Sequence, residues 1–251
     1  VGSNFEYHNI HTKKFFLFTP SCHITDDSIL TMAIAKALVT CKEGYSNLTD
    51  VTIECLRKFG RKRVAAYGKM FYEWLHSNNP EPYNSFGNGA GMRVSPVGFI
   101  AKDLAECQKL SKIVTEVTHN HPEGIKGAEA IAVCVWLARN GKTKDEIRNY
   151  VNNNYYNLNF TLEDLRKNYQ WSSTCQGSVP QAIECFLESN DFEDAIRNAI
   201  SIGGDSDTIG AMTGAISEAF YGIPKHLQFI AKCYCPHGMF KYINRLQKKE
   251  N

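Results

Sequence analysis

Two short segments hold the residues best suited to chemistry. Thr25-Asp26-Asp27-Ser28 stands just before a strongly periodic apolar stretch, and Gly203-Gly204-Asp205-Ser206-Asp207-Thr208 stands before another. Each reads first as a helix start. Thr25 takes the N-cap position, and Asp26 and Asp27 complement the positive end of the helix dipole. Capping accounts for one aspartate of the second segment, but not for Asp205, Asp207 and Thr208 together. Its two glycines let the backbone turn sharply and approach a neighbouring element. Adjacent helical side chains diverge by about 100°, so paired carboxylates converge only where one stands at the non-helical end. Four carboxylates and two threonine hydroxyls form a hard-oxygen donor set. It suits Mg²⁺, Mn²⁺ or Ca²⁺ and not Zn²⁺, which prefers Cys and His. Four carboxylates exceed what one divalent ion usually takes, so two metals fit the count. The spacing does not by itself bring the two segments together.

The elements that must position these segments are helices. Leu30, Ala33, Ile34, Ala37, Leu38 and Cys41 form the apolar stripe of a core-facing helix. Leu48, Val51, Cys55, Leu56 and Phe59 follow the same template, as do Val64, Tyr67, Phe71, Tyr72 and Leu75. A further set, Ala128, Ile131, Ala132, Val135 and Trp136, stops at Asn140-Gly141, a typical helix end. Thr143 and Glu146 have the spacing of a capping box. More helices are predicted near 103–117, 161–168, 179–189, 191–201, 208–221 and 224–232. Gly210, Ala211, Gly214 and Ala215 predict a helix packed tightly in the middle of a bundle. Residues 15–19 are the best strand candidate, and they are few. Residues 149–159 read as a polar helix end and turn. Three loops carry information: 78–91, 118–124 and 203–207. With no internal repeat and no linker, the expectation is one all-α domain.

Composition narrows the function classes. The chain has 251 residues, 43% apolar and 22% charged, which rules out disorder as the dominant state. Net charge is +2, which gives no electrostatic footprint for nucleic acid. No stretch approaches about 18 uncharged apolar residues, so no membrane span is expected. Nine cysteines are scattered, odd in number and without a C-x-x-C pair. They read as reduced, packed thiols in a reducing compartment, and the expected location is cytoplasmic. Cys233-Tyr234-Cys235 alone is weak evidence for zinc. Residues 1–4 resemble neither a signal nor a transit peptide.

The pairing of T-D-D-[ST] near the start with G-G-D-x-D-T-I near the end resembles the ADP-ribosylglycohydrolase family. More of the chain agrees, in family order. Gly2-Ser3-Asn4-Phe5-Glu6 looks like the family's G-S-x-x-E segment, and residues 87–93 look like its G-N-G-x-x-M-R loop. Val117-Thr118-His119 looks like its T-H segment, and residues 177–182 match a G-S-V-P-x-A stretch. Each motif is weak alone, and five in order are strong.

The resemblance implies a compact, single-domain orthogonal helical bundle that binds two Mg²⁺ or Mn²⁺ ions. Thr25, Asp26, Asp27, Asp205, Asp207 and Thr208 match the metal ligands. Glu6 matches a carboxylate near the metals and the ribose. Ser85, Phe86, Gly87, Asn88 and Gly89 match the loop around the ADP-ribose diphosphate, and Phe86 sits where an aromatic stacks on adenine in some members. His119 matches a substrate-pocket histidine. The implied activity is release of ADP-ribose from a modified protein side chain or a small ADP-ribose conjugate, by a monomer. The alternative on the same fold is a non-catalytic protein that binds ADP-ribose or serves a structural role, as in lens crystallins. A retired site has no reason to keep mutually repelling carboxylates, which disfavours it.

Elementary chemistry agrees with those roles. Breaking a ribosyl bond at C1 passes through an oxocarbenium-like state. Hard cations orient ribose hydroxyls and acidify water, and a carboxylate such as Asp205 or Glu6 steers or deprotonates that water. Glycine-rich backbone leaves N–H groups free to cradle a diphosphate. Arg93 is expected to pair with a structural carboxylate. Two departures stand out. Ser28 replaces the usual Thr, and the family's G-x-x-x-G-D helix before G-S-x-x-E is missing here.

Overall fold

The computed structural model describes residues 1–62, 67–236, 238–239, 241–242 and 245–246. Among them are twelve α-helices and no β-strand. The first two are α1 (Asp26–Thr40) and α2 (Leu48–Gly60), which pack on each other. Then come α3 (Lys69–His76), α4 (Ser95–Ile100), α5 (Leu104–Glu116) and α6 (Pro122–Arg139). The remainder are α7 (Lys144–Asn154), α8 (Leu162–Asn168), α9 (Cys175–Leu187), α10 (Phe192–Ser201), α11 (Ser206–Tyr221) and α12 (Lys225–Tyr234). No described helix is long and apolar enough to cross a membrane.

The centre of the molecule is α6, packed against α4, α5, α9 and α11. Ala, Val, Ile and Cys dominate it, and residues 130–135 are buried without a break. It stops where expected. Gly141 takes φ +74°, its N–H donates to Ala138 O at 3.2 Å, and the Lys142 N–H donates to Leu137 O at 3.1 Å. That pair of bonds is a Schellman motif, open to glycine because the left-handed conformation carries no Cβ penalty. Thr143 and Glu146 close the expected capping box on α7.

Three local readings needed correction. Residues 15–19 form no strand, because side chains take their carbonyls. Arg197 Nη1 donates to the carbonyls of Lys13 and Phe15, both at 2.8 Å, and Tyr234 Oη donates to that of Thr19 at 3.1 Å. Helix α9 starts at Cys175 instead of 179, because Thr174 caps it by accepting the Gly177 N–H at 3.1 Å. Pro180 therefore sits inside the helix and not at its start. Helix α11 packs against α6, α9 and α10, as its small residues predict, with Gly210, Ala211, Gly214 and Ala215 on its half-exposed face and Ile209, Met212, Thr213, Ile216 and Ser217 on its buried one. Tyr72, assigned to a buried stripe, is exposed on α3, and Val64 of that stripe lies outside the described residues.

Candidate active site

The N-termini of α1 and α11 meet, and their acidic residues converge with Glu6. Oxygens of Glu6, Asp205 and Asp207 lie within 4.8 Å of one another, and so do oxygens of Asp26, Asp27 and Asp207. Asp207 thus belongs to both trios. Helix α11 begins at Ser206, two residues before the predicted start at 208: Asp205 is its N-cap and Asp207 stands in its first turn. Thr25 caps α1 without bonding the backbone through its side chain; its hydroxyl donates to Asp27 Oδ2 at 2.7 Å.

Sequence-distant segments are locked around α11. Gly203 and Gly204 both take φ +74°, and a Cβ on Gly204 would stand 2.3 Å from Tyr169 Cε1. Only glycine fits there. Asn9 clasps the turn: its Oδ1 accepts the Gly204 N–H at 2.8 Å, and its Nδ2 donates to Gly204 O at 2.9 Å and Phe5 O at 2.6 Å. The last bond fixes the residue before Glu6. Gly2 lies so close that a Cβ would stand 2.4 Å from Asp207 Cα. The N-terminal segment is therefore seated directly on the first turn of α11.

The electrostatics are those of a site built for cations. Burial, with Asp207 next in effect, raises Asp26 to about 6 and Asp205 to about 7. Fully buried Asp27 is pushed well above the carboxylate range by desolvation and then by Asp207 and Asp26. Glu6 is also raised, by burial first, while a hydrogen bond from Tyr7 opposes the shift. Among the described residues, no ion pair involves any of these five carboxylates. Asp27 Oδ1 and Asp207 Oδ1 are buried with no hydrogen-bond partner. Orphaned anionic oxygens inside a protein are costly unless a cation satisfies them. The donor set is all oxygen, so hard divalent ions fit it.

The cluster opens on a groove of about 410 Å³. Its walls include Glu6, Asp26, Asp205, Asp207 and Thr208, together with Ser85, Gly87, Asn88, Gly89 and His119. The glycine loop is zipped to residues 171–175. Asn88 N donates to Ser173 O at 2.7 Å, and Cys175 N donates to Phe86 O at 2.9 Å. The Gly87 N–H goes to Ser85 Oγ at 3.1 Å. So within residues 87–89 only the Gly89 N–H remains for a ligand, fewer than a free glycine loop promised. Phe86 is not among the walls; its ring packs on His121, centroids 5.1 Å apart.

His119 is buried and held neutral, its pKa driven well down by desolvation and then by Arg93. Thr118 Oγ1 accepts from Arg93 Nη2 at 2.6 Å and lies 2.8 Å from His119 Nδ1. The Thr118 proton can go to Nδ1 or to Thr115 O at 3.4 Å, and the other ring nitrogen of His119 is Nε2. That nitrogen faces the loop: Cβ atoms on Gly87 and Gly89 would stand 3.6 and 3.4 Å from it.

Several groove residues escaped the sequence reading. Among the described residues Arg93 pairs with no carboxylate; it is buried against Thr118, with its guanidinium 5.6 Å from the Phe71 ring centre. Tyr7, Tyr83 and Trp171 also line the groove. The only hint for Arg93 was its place at the end of the G-N-G-x-x-M-R segment. Nothing marked Asn9, Tyr83 or Trp171.

Comparison with known proteins agrees with this geometry. The family model described as ADP-ribosylglycohydrolase matches residues 1–239. Human ADP-ribosylhydrolase ARH3 is 24% identical, over 82% of this chain and 72% of its own. ADP-ribosyl-[dinitrogen reductase] glycohydrolase of Rhodospirillum rubrum is 22% identical, over 89% and 77%. ADP-ribosylarginine hydrolase Tri1 of Pseudomonas putida is 25% identical, over 79% and 59%. A solved ADP-ribosylglycohydrolase-related protein complex shares the fold with a TM-score of 0.62 at 20% identity, covering 90% of this chain and 78% of that one. A family match along nearly the whole chain, on an all-helical fold whose two acidic helix starts meet at one groove, places this protein in the ADP-ribosylglycohydrolase family.

Proposed function

We propose that this chain is a metal-dependent hydrolase that cleaves the ribosyl C1 bond of ADP-ribosylated side chains or small ADP-ribose conjugates. The observation that carries the reading is the pair of carboxylate trios sharing Asp207, with two buried oxygens left unpartnered, in a cluster that opens on a groove. Thr25, Asp26, Asp27, Asp205, Asp207 and Thr208 would hold two Mg²⁺ or Mn²⁺ ions. Such ions supply Lewis acidity toward ribose hydroxyls and water. Glu6 and Asp205 face the groove as the carboxylates that steer water toward C1 and accept its proton. His119 presents Nε2, and Gly89 its backbone N–H, to the diphosphate oxygens. Arg93 acts through Thr118, which positions the histidine ring.

A single apolar core running from α1 to α11 supports reading residues 1–251 as one unit. The nine scattered cysteines fit a reducing compartment, which in turn fits cytoplasmic work. The test is release of free ADP-ribose from conjugates, with Mg²⁺ or Mn²⁺ and with chelator. Asp205→Asn and Asp207→Asn are expected to abolish release and weaken metal binding. Unchanged turnover in either variant removes the site.

A further inference from the structure

The acidic cluster opens on two sides. The groove is lined by Asp26, Asp205 and Thr208, but not by Thr25 or Asp27. Those two line a second cavity, of about 530 Å³. Asp207 lines both. The N-terminal segment passes between them, over the first turn of α11. Gly2 and Ser3 stand on the second cavity, and Glu6 and Tyr7 stand on the groove. Gly2 is seated there because a Cβ would meet Asp207 Cα at 2.4 Å.

The second cavity owes its room to small side chains. Asp207, Gly210, Ala211 and Glu218 line it from one face of α11. A Cβ on Gly210, one turn above Asp207, would find nothing nearer than Ile200 Cδ1 at 3.8 Å. Glu218 stands about 16 Å further along the helix than Asp207. Among the described residues its carboxylate forms no ion pair. At the other end of this face are the orphaned oxygens. Asp27 is only 4% exposed; its Oδ2 accepts from the Thr25 hydroxyl at 2.7 Å, and its Oδ1 has no partner. Asp207 Oδ1 has none either. Buried anionic oxygens on the wall of a cavity call for a cation that can reach them from that cavity.

We infer that the second cavity is the exchange route for the divalent ion of the Asp26–Asp27–Asp207 trio, whereas the ion of the Glu6–Asp205–Asp207 trio exchanges through the groove. This rests on the two-metal reading and deepens it. A ligand that fills the groove then traps one ion and leaves the other free to exchange. Glu218 is the unpaired anion along the second route, where it raises the local concentration of cations.

The experiment loads the protein with Mn²⁺ at pH 8 and follows its release into excess chromogenic chelator by stopped flow. The parent releases Mn²⁺ in two phases. ADP-ribose at about ten times its Kd slows one phase about tenfold and leaves the other at its own rate. Gly210→Leu places a side chain in the open space beside Asp207. It slows the second phase about tenfold in both directions, so the affinity for that ion is unchanged. A merely structural disturbance would change the affinity instead. Glu218→Gln keeps the shape of the cavity and lowers the association rate of the same ion by about tenfold at low salt, and by less at high salt. ADP-ribose that slows both phases alike overturns the inference and leaves the metal reading standing. So does a folded Gly210→Leu with both phases at parental rates; where that variant does not fold, a parental association rate in Glu218→Gln overturns it. A parent that binds no Mn²⁺ overturns both readings. ADP-ribose that slows neither phase overturns the groove as the ADP-ribose site, and the two variants then decide the route.

Discussion

Asn88 Nδ2 donates to Asp205 Oδ2 at 2.7 Å, joining two buried residues 117 positions apart in sequence. The same amide reaches Ser178 Oγ at 3.1 Å and Ser172 O at 3.4 Å. One side chain therefore ties the glycine loop, the 171–175 segment and the start of α9 to the N-cap of α11. Its bond stabilises the ionised form of Asp205 against burial and against Asp207, both of which favour the proton. Asn88→Ala removes a hydrogen bond to a charged group, an interaction of about 1.5–3 kcal/mol, so ADP-ribose release falls roughly 10- to 100-fold. Steady-state kinetics checks this, and turnover at the parental rate would separate the loop from the chemistry.

Asp207 is shared by both carboxylate trios, whereas Asp27 belongs to one. The two residues are therefore unequal as metal ligands. Asp27→Asn leaves the trio of Glu6, Asp205 and Asp207 intact and is expected to lower bound Mn²⁺ from about two ions per chain to about one. Asp207→Asn damages both positions and lowers binding further. Equilibrium dialysis with Mn²⁺ reads the difference. Equal stoichiometry in the two variants contradicts the shared position of Asp207.

The same cluster makes stability depend on pH with a definite sign. In the metal-free fold Asp26 and Asp205 titrate near 6 and 7, against an ordinary 3.8. Between those values the folded state keeps protons that the unfolded state has released. The stability these groups contribute is thus present at low pH and is lost as pH rises through about 6 to 7. A divalent ion competes with the protons for the same oxygens, so its stabilisation grows over that range. In chelator, the melting temperature of the parent falls between pH 5 and pH 8 relative to Asp205→Asn. Added Mg²⁺ raises it more at pH 8 than at pH 5. A metal-induced rise of equal size at both pH values counts against protonated aspartates at this site.

What could be read in advance was local, and what could not was long-range. The two acidic helix starts were legible because capping and charge lie within six residues, and the Thr143–Glu146 box because its spacing is its geometry. The Asn140-Gly141 stop was legible for the same reason. Residues 15–19 were misread because Arg197, far along the chain, satisfies carbonyls that a strand ladder would otherwise use. The small residues of α11 marked a helix packed between others, but size alone does not say which of its faces is buried. Arg93 was expected against a carboxylate; its partners, Thr118 in the turn after α5 and Phe71 on α3, share no local pattern. The five carboxylates could be named from motifs, while the sharing of Asp207 required coordinates.

The turn that carries Asp205 sets a steric limit which stability can test. Gly204 has φ +74°, and an added Cβ would meet Tyr169 Cε1 at 2.3 Å. Gly204→Ala therefore adds left-handed backbone strain of about 1–2 kcal/mol and displaces the Tyr169 ring. At 2–4 °C per kcal/mol for a chain of this size, the backbone part alone lowers the melting temperature by roughly 2–8 °C. The ring part is separable. Tyr169→Ala opens the space, so in its background Gly204→Ala costs less, but the backbone part persists because no neighbour causes it. Asn9→Ala is the complementary case. It removes the clasp on Gly204 and Phe5 without adding strain, so it acts more on turnover, through the placement of Glu6, than on melting. If Gly204→Ala melts with the parent in both backgrounds, the turn is not held in the left-handed conformation and the seating of Asp205 described above is wrong.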